Sequence, residues 1–221
     1  RRGYSGDASS ANDSAGARSR EAGRGHHYRP RRRSGGFGGF VTTLILLPQV
    51  VDIAGSIPVV APGGIADGRG LAAALTLGAQ GVNIGTRFLA SVESPISSQW
   101  KQDILAAQSE DTLKFEVWND IFPPPSGGYP VIPRVLASPF VKKWMNSRDK
   151  VKLDAERLQA EIGTAVEHGT WGELLPFTGQ TAGLIDEVLP AGEIVRRIMA
   201  TAEETLKATS SLLTPVPKRS K

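Results

Sequence analysis

Apart from alanine, aliphatic residues are absent from the first 40 positions; from Phe40 onward apolar residues recur in two alternating rhythms. The stretch "VTTLILLPQVVDIAG" (41–55) carries apolar side chains at helical spacing, offers Thr42 and Thr43 as N-terminal caps and stops at Gly55, which predicts a helix. "IPVVAPGG" (57–64) is a continuous apolar run bounded by Pro and Gly, the pattern of a strand buried on both faces of a parallel sheet. "DGRGLAAALTLGA" (67–79) returns to helix, with Asp67 near its start and Gly78 near its C-terminal cap. "GVNIGTRF" (81–88) reads as a second buried strand. Strand, helix and strand at this spacing make a right-handed βαβ unit with two adjacent parallel strands, so the fold class is α/β.

Beyond Ser94 the strand signal fades. "ISSQWKQDILAAQ" (96–108) is an amphipathic helix and "IFPPPSGGYPVIP" (121–133) a Pro/Gly-rich loop. Residues 138–148 and 151–167 read as two more helices. "FTGQTAGLIDEVLP" (177–190) is a glycine-containing segment leading into a long final helix over 190–209. The chain thus divides into a segment 1–40 of Gly, Ser, Arg and Ala, a folded body over 41–210 and a tail over 211–221. The first segment cannot bury enough apolar surface to fold alone and is expected to lack regular structure.

The net charge of +4 and the pI near 9.5 belong to the N-terminus. Residues 1–33 hold nine Arg against three acids, which leaves 17 basic and 19 acidic residues for the body. With no cysteine, disulfides and thiolate metal sites are excluded, and no metal site is expected. No apolar run reaches the roughly 18 residues that span a bilayer, and no signal-peptide h-region is present. A soluble protein is expected, with the cytoplasm as its compartment and no membrane partner. The absence of an initiator Met suggests an incomplete N-terminus.

Both short loops that follow the strands are rich in backbone N–H. At the C-terminal ends of neighbouring parallel strands such groups converge with a helix N-terminus and bind phosphate without a basic side chain. In (β/α)₈ barrels the loops after strands 7 and 8 commonly form this site. Gly63 and Gly64 let the backbone approach a ligand, and Asn83 to Thr86 supply amides and a hydroxyl. The plainer alternative is that Gly63, Gly64 and Gly85 only make tight βα turns. Glycines at 63, 64, 68 and 70 do not fit the dinucleotide pattern G-x-G-x-x-G.

The stretch "LLPQVVDIAGSIPVVAPGGIADGRGLAAALTLGAQGVNIGTRFLASVES" closely resembles the last two βα units of nitronate monooxygenases, formerly 2-nitropropane dioxygenases. "GQTAGLIDEVLPAGEIVRRIMA" resembles the family's C-terminal segment. The resemblance runs from about Glu21 to Met199. It implies an FMN-dependent (β/α)₈-barrel enzyme that oxidises alkyl nitronates or nitroalkanes with O2 to a carbonyl compound and nitrite. It places the FMN phosphate on Gly64 and on Asn83, Ile84, Gly85 and Thr86, with Gly63 and Gly23 beside the cofactor. The family's E-A-G-G-H motif supplies a His base; here "EAGRGHHYRPRRRSGGFGGF" matches it at Glu21, Ala22 and Gly23. Arg24 and Gly25 then intervene, so His26 or His27 stands in for the base. The alternative for this stretch is an unstructured Arg/Gly tract with chance histidines. His168, near the end of a polar helix, reads as solvent-exposed.

No strand precedes Glu21, so the chain is expected to carry only about a quarter to a third of the eight-unit barrel plus the C-terminal helices. Weak FMN retention and impaired activity follow from that expectation. Three other readings compete. An FMN-barrel enoyl reductase shares the phosphate loops but needs a nicotinamide site. IMP dehydrogenase-like barrels need a nucleophilic Cys, which this chain lacks. A non-catalytic remnant with a nucleic-acid-binding basic N-terminus is suggested by "RGHHYRPRRRSGGFGGF", which interleaves Arg with aromatics, although a solvated loop explains it more simply.

Overall fold

A computed structural model of the chain describes residues 41–124 and 130–212. The segment 1–40, the loop tip 125–129 and the tail from residue 213 lie outside the described residues, and so do the expectations that fall on them.

The βαβ unit is present. Helix α1 (Thr43–Ala54) leads to strand β1 (Val60–Pro62), helix α2 (Gly68–Thr76) and strand β2 (Gly81–Asn83). The strands are adjacent and parallel, with Val60 opposite Gly81, Ala61 opposite Val82 and Pro62 opposite Asn83. Asp67 caps α2, its carboxylate accepting the Gly70 N–H at 3.1 Å, and Gly55 and Gly78 follow the two helices at positive φ. Each strand is three residues long, shorter than the apolar runs around it. Pro58 and Pro62 cannot donate to a ladder, and Thr86 already opens a short helix, α3 (Thr86–Leu89). The expected burial on both faces holds for Ala61 but not for Val60, which is 38% exposed, nor for Asn83. The physical reason is that this sheet has two strands among the described residues, so each has a neighbour on one side only.

Downstream, α4 (Ser98–Ala106) is capped by Ser97, whose hydroxyl accepts the Trp100 N–H. The strand signal does not end at Ser94. β3 (Thr112–Lys114) and β4 (Arg134–Leu136) pair antiparallel, with α5 (Trp118–Ile121) between them. Helices α6 (Pro139–Met145), α7 (Arg148–Leu153) and α8 (Ala155–Glu167) replace the two predicted over 138–167, the chain breaking near Ser147 and at Asp154. A short α9 (Trp171–Leu174) and a 3₁₀ turn (Gln180–Leu184) precede the long α10 (Ala191–Ser211).

Leu71 and Ala72 of α2 pack against Ile194, Ile198 and Ala202 of α10, and Leu47 and Val50 of α1 pack against Val59, Ala61 and Ile65. Two links hold the segment before α10 to α3 and the residues just after it. Buried Arg87 donates to the Glu187 carbonyl at 2.9 Å, and Ser91 bridges Leu189 in parallel.

Candidate functional site

The loops after β1 and β2 lie side by side, joined by the Gly63 N–H donating to the Asn83 carbonyl at 3.3 Å. Gly63 and Gly64 sit at φ 71° and 75°, the left-handed region that favours glycine. The Thr43 hydroxyl, at the start of α1, lies 3.1 Å from the Pro62 carbonyl and 3.3 Å from that of Gly63. The loop's carbonyls are therefore occupied from the α1 side, and the α1 N-terminus is fixed over the loop.

Gly64, Asn83 and Gly85 are exposed, while Gly63, Ile84 and Thr86 are half-buried, with Ile84 packed beneath against the α1 and α2 clusters. A Cβ added to Gly64 would have the Thr43 hydroxyl oxygen as its nearest neighbour at 3.9 Å, and one added to Gly85 would meet nothing within 4 Å. Open space over small residues suits an oxyanion held by main-chain N–H groups, so the loops fit a phosphate group. Gly85 lies in the two-residue connection between β2 and α3 but is not in the left-handed region. At φ −99° it is the residue before α3, and its carbonyl accepts the N–H groups of Phe88 and Leu89.

Thr86 is engaged in a way its sequence neighbours do not suggest. Its hydroxyl oxygen accepts the Gly179 N–H at 2.9 Å, across 93 positions of sequence. The Gly179 segment is anchored in turn. Thr178 N–H donates to the Arg134 carbonyl at 3.0 Å, and the buried Thr178 hydroxyl accepts the Trp100 indole N–H at 3.1 Å.

Gly23, His26 and His27 lie outside the described residues. His168 is exposed at the end of α8, its Nδ1 2.9 Å from the Thr164 carbonyl. Among the described residues no group of three or more His, Cys, Asp or Glu side chains is placed to hold a metal ion, and no helix is long and apolar enough to cross a membrane.

A second charged feature was not visible in the sequence. The β3–β4 register sets Lys114 directly opposite Arg134. Burial, reinforced by the Arg134 charge, lowers the Lys114 ammonium to about 8. Arg134 donates through Nη1 to the Thr112 carbonyl, and its buried Nε has no hydrogen-bond partner among the described residues. Each residue alone is an ordinary charge in a polar stretch; only the pairing register brings them together across 20 positions of sequence.

The family model described as nitronate monooxygenase matches residues 21–201. Nitronate monooxygenase npaC of Metarhizium robertsii is 35% identical over 171 residues, which are 74% of this chain and 47% of that protein. Among solved structures, FabK from Thermotoga maritima superposes with a TM-score of 0.70 at 34% identity, over 91% of this chain and 61% of that one. The nitroalkane oxidase from Streptomyces ansochromogenes superposes with a TM-score of 0.60 at 26% identity, over 80% and 51%. The chain spans about half the length of npaC and of the nitroalkane oxidase. With a match that begins at the E-A-G stretch and runs through the loops after β1 and β2 into the final helix, the chain belongs to the nitronate monooxygenase family.

Proposed function

We propose that the chain forms the last βα units and C-terminal helices of an FMN-dependent (β/α)₈-barrel enzyme that oxidises alkyl nitronates or nitroalkanes with O2. The observation that carries this reading is the pair of loops at the C-terminal ends of β1 and β2, joined between Gly63 and Asn83 and open above Gly64 and Gly85. In this reading the cofactor phosphate lies against Gly64 and the amides of Asn83, Ile84, Gly85 and Thr86, and Gly63 shapes the turn that lets it approach. When bound, the flavin supplies the redox chemistry, accepting electrons from the substrate and passing them to O2. His26 or His27 removes the proton α to the nitro group of a nitroalkane; an imidazole titrates near neutrality and is suited to that step. A nitronate substrate arrives already deprotonated and needs the base only for placement. Gly23 lies beside the cofactor by the same assignment.

The test uses binding rather than turnover. The purified chain is reconstituted with FMN, followed by flavin absorbance near about 450 nm, and then exposed anaerobically to an alkyl nitronate or to NADPH. The expected result is a perturbed flavin spectrum with the nitronate and none with NADPH. Bleaching by NADPH without any response to the nitronate would overturn the assignment in favour of a nicotinamide-dependent reductase.

A further inference from the structure

We infer that Gly179, which belongs to neither phosphate loop, is a positioning residue that turns the Thr86 hydroxyl toward the cofactor phosphate. The inference rests on the phosphate placement proposed above. A threonine hydroxyl has one proton to donate and two lone pairs that accept. In helices that proton is usually taken by the carbonyl four residues back, and Thr76, Thr205 and Thr209 do this here, donating to Ala72, Thr201 and Thr205 at 2.7–2.8 Å. Thr86 does not. Its oxygen accepts the Gly179 N–H at 2.9 Å, and among the described residues no protein acceptor takes its proton. The hydroxyl is left as a donor beside the exposed backbone of Asn83 and Gly85, where an oxyanion is proposed to sit.

The missing side chain of Gly179 matters as much as its N–H. Its backbone is extended, at φ −85° and ψ 168°, a conformation open to any residue, so glycine is not required there for conformational freedom. Its small size matters instead, because a Cβ at this position would lie 3.0 Å from the Thr86 hydroxyl oxygen, tight enough to push that hydroxyl aside by a few tenths of an ångström. The amide is also held from both sides. Thr178 is tied to β4 and Trp100, and the Gly179 carbonyl accepts the Ala182 N–H at 3.0 Å. A donor fixed in this way orients its partner without reorganising when the ligand arrives.

Flavin titrations of the 221-residue chain test this with two probes, FMN and riboflavin, which differ only in the phosphate. The FMN-to-riboflavin affinity ratio should fall about fivefold in Gly179→Ala and in Thr86→Val, the loss of one hydrogen bond. It should fall no further in the double variant and should be retained in Thr86→Ser. A ratio unchanged in Gly179→Ala but reduced in Thr86→Val overturns the role of Gly179 alone, as does a loss in Gly179→Ala that persists on the Thr86→Val background. A wild-type ratio of one overturns the phosphate placement itself. Should Gly179→Ala fail to fold, the wild-type chain decides: its Gly179 amide proton should move downfield on adding FMN and not riboflavin, and the absence of an FMN-specific shift overturns the inference.

Discussion

Gly64 and Gly85 flank the same open space by different backbone routes, so a branched side chain tests each differently. At φ 75° Gly64 tolerates valine only with strain of order 1–3 kcal/mol, so Gly64→Val should lower both melting temperature and FMN affinity. Gly85 lies at φ −99° with nothing within 4 Å of a built Cβ. Gly85→Val should leave the melt almost unchanged while abolishing FMN binding, which separates the space the phosphate needs from the stability of the fold. Thr86→Ala should cost FMN binding about 1 kcal/mol. Flavin affinity unchanged in both glycine variants would remove these loops from the site. Lys114 gives a pH signature. Its folded-state value of about 8 lies below the ordinary lysine value of 10.5, so between those limits the unfolded chain binds more protons and stability rises with pH. In urea melts from pH 7 to 10.5, wild type should therefore gain on Lys114→Met as the pH climbs. A constant gap between the two would show that burial beside Arg134 is not felt.

The element most fully legible in the sequence is the βαβ unit, because its apolar runs are bounded by residues whose backbone chemistry stops a helix or a strand. Asp67 illustrates this. Burial opposes its ionisation, but hydrogen bonds from Arg69 and Gly70 outweigh it and hold the carboxyl below its usual value. Asp67→Ala should destabilise the chain by about 1 kcal/mol in denaturant melts, whereas Asp67→Asn, which keeps the capping oxygen, should cost much less. Gly68, one residue on, is where α10 meets α2: a Cβ there would lie 2.4 Å from the Ala202 nitrogen, so Gly68→Ala should cost about 1–3 kcal/mol through overpacking. β3 and β4 were not legible. Three residues are too few to show a period of two, and a Pro/Gly-rich loop separates the partners. The site divides along the same line. Gly63, Gly64 and Gly85 announce themselves by their positions at strand ends, whereas the Thr86–Gly179 bond and the Lys114–Arg134 pair are contacts between distant residues that no local pattern encodes.

At the scale of the whole molecule, the described residues present one wall of the proposed cofactor site, two parallel strands and their loops, in a chain about half the length of npaC. Catalysis needs the base within hydrogen-bonding reach of the substrate while the flavin is held in place, and misplacement by about 1 Å costs on the order of 100-fold in rate. The start of α1 is fixed at this wall by the Thr43 hydroxyl. His27 is 16 positions before Thr43, a tether that spans up to about 50 Å when extended. That length permits an imidazole to reach the site, and a segment of Gly, Ser, Arg and Ala offers little apolar surface to fix it there. We therefore predict that this chain, even saturated with FMN, turns over propionate nitronate or a nitroalkane at or near background, and that His26→Ala and His27→Ala change little. The measurement is nitrite release in air from the three proteins at equal flavin occupancy. Robust nitrite release by wild type, lost in one histidine variant, would show that the segment before α1 orders itself over the two loops and would identify that histidine as the base.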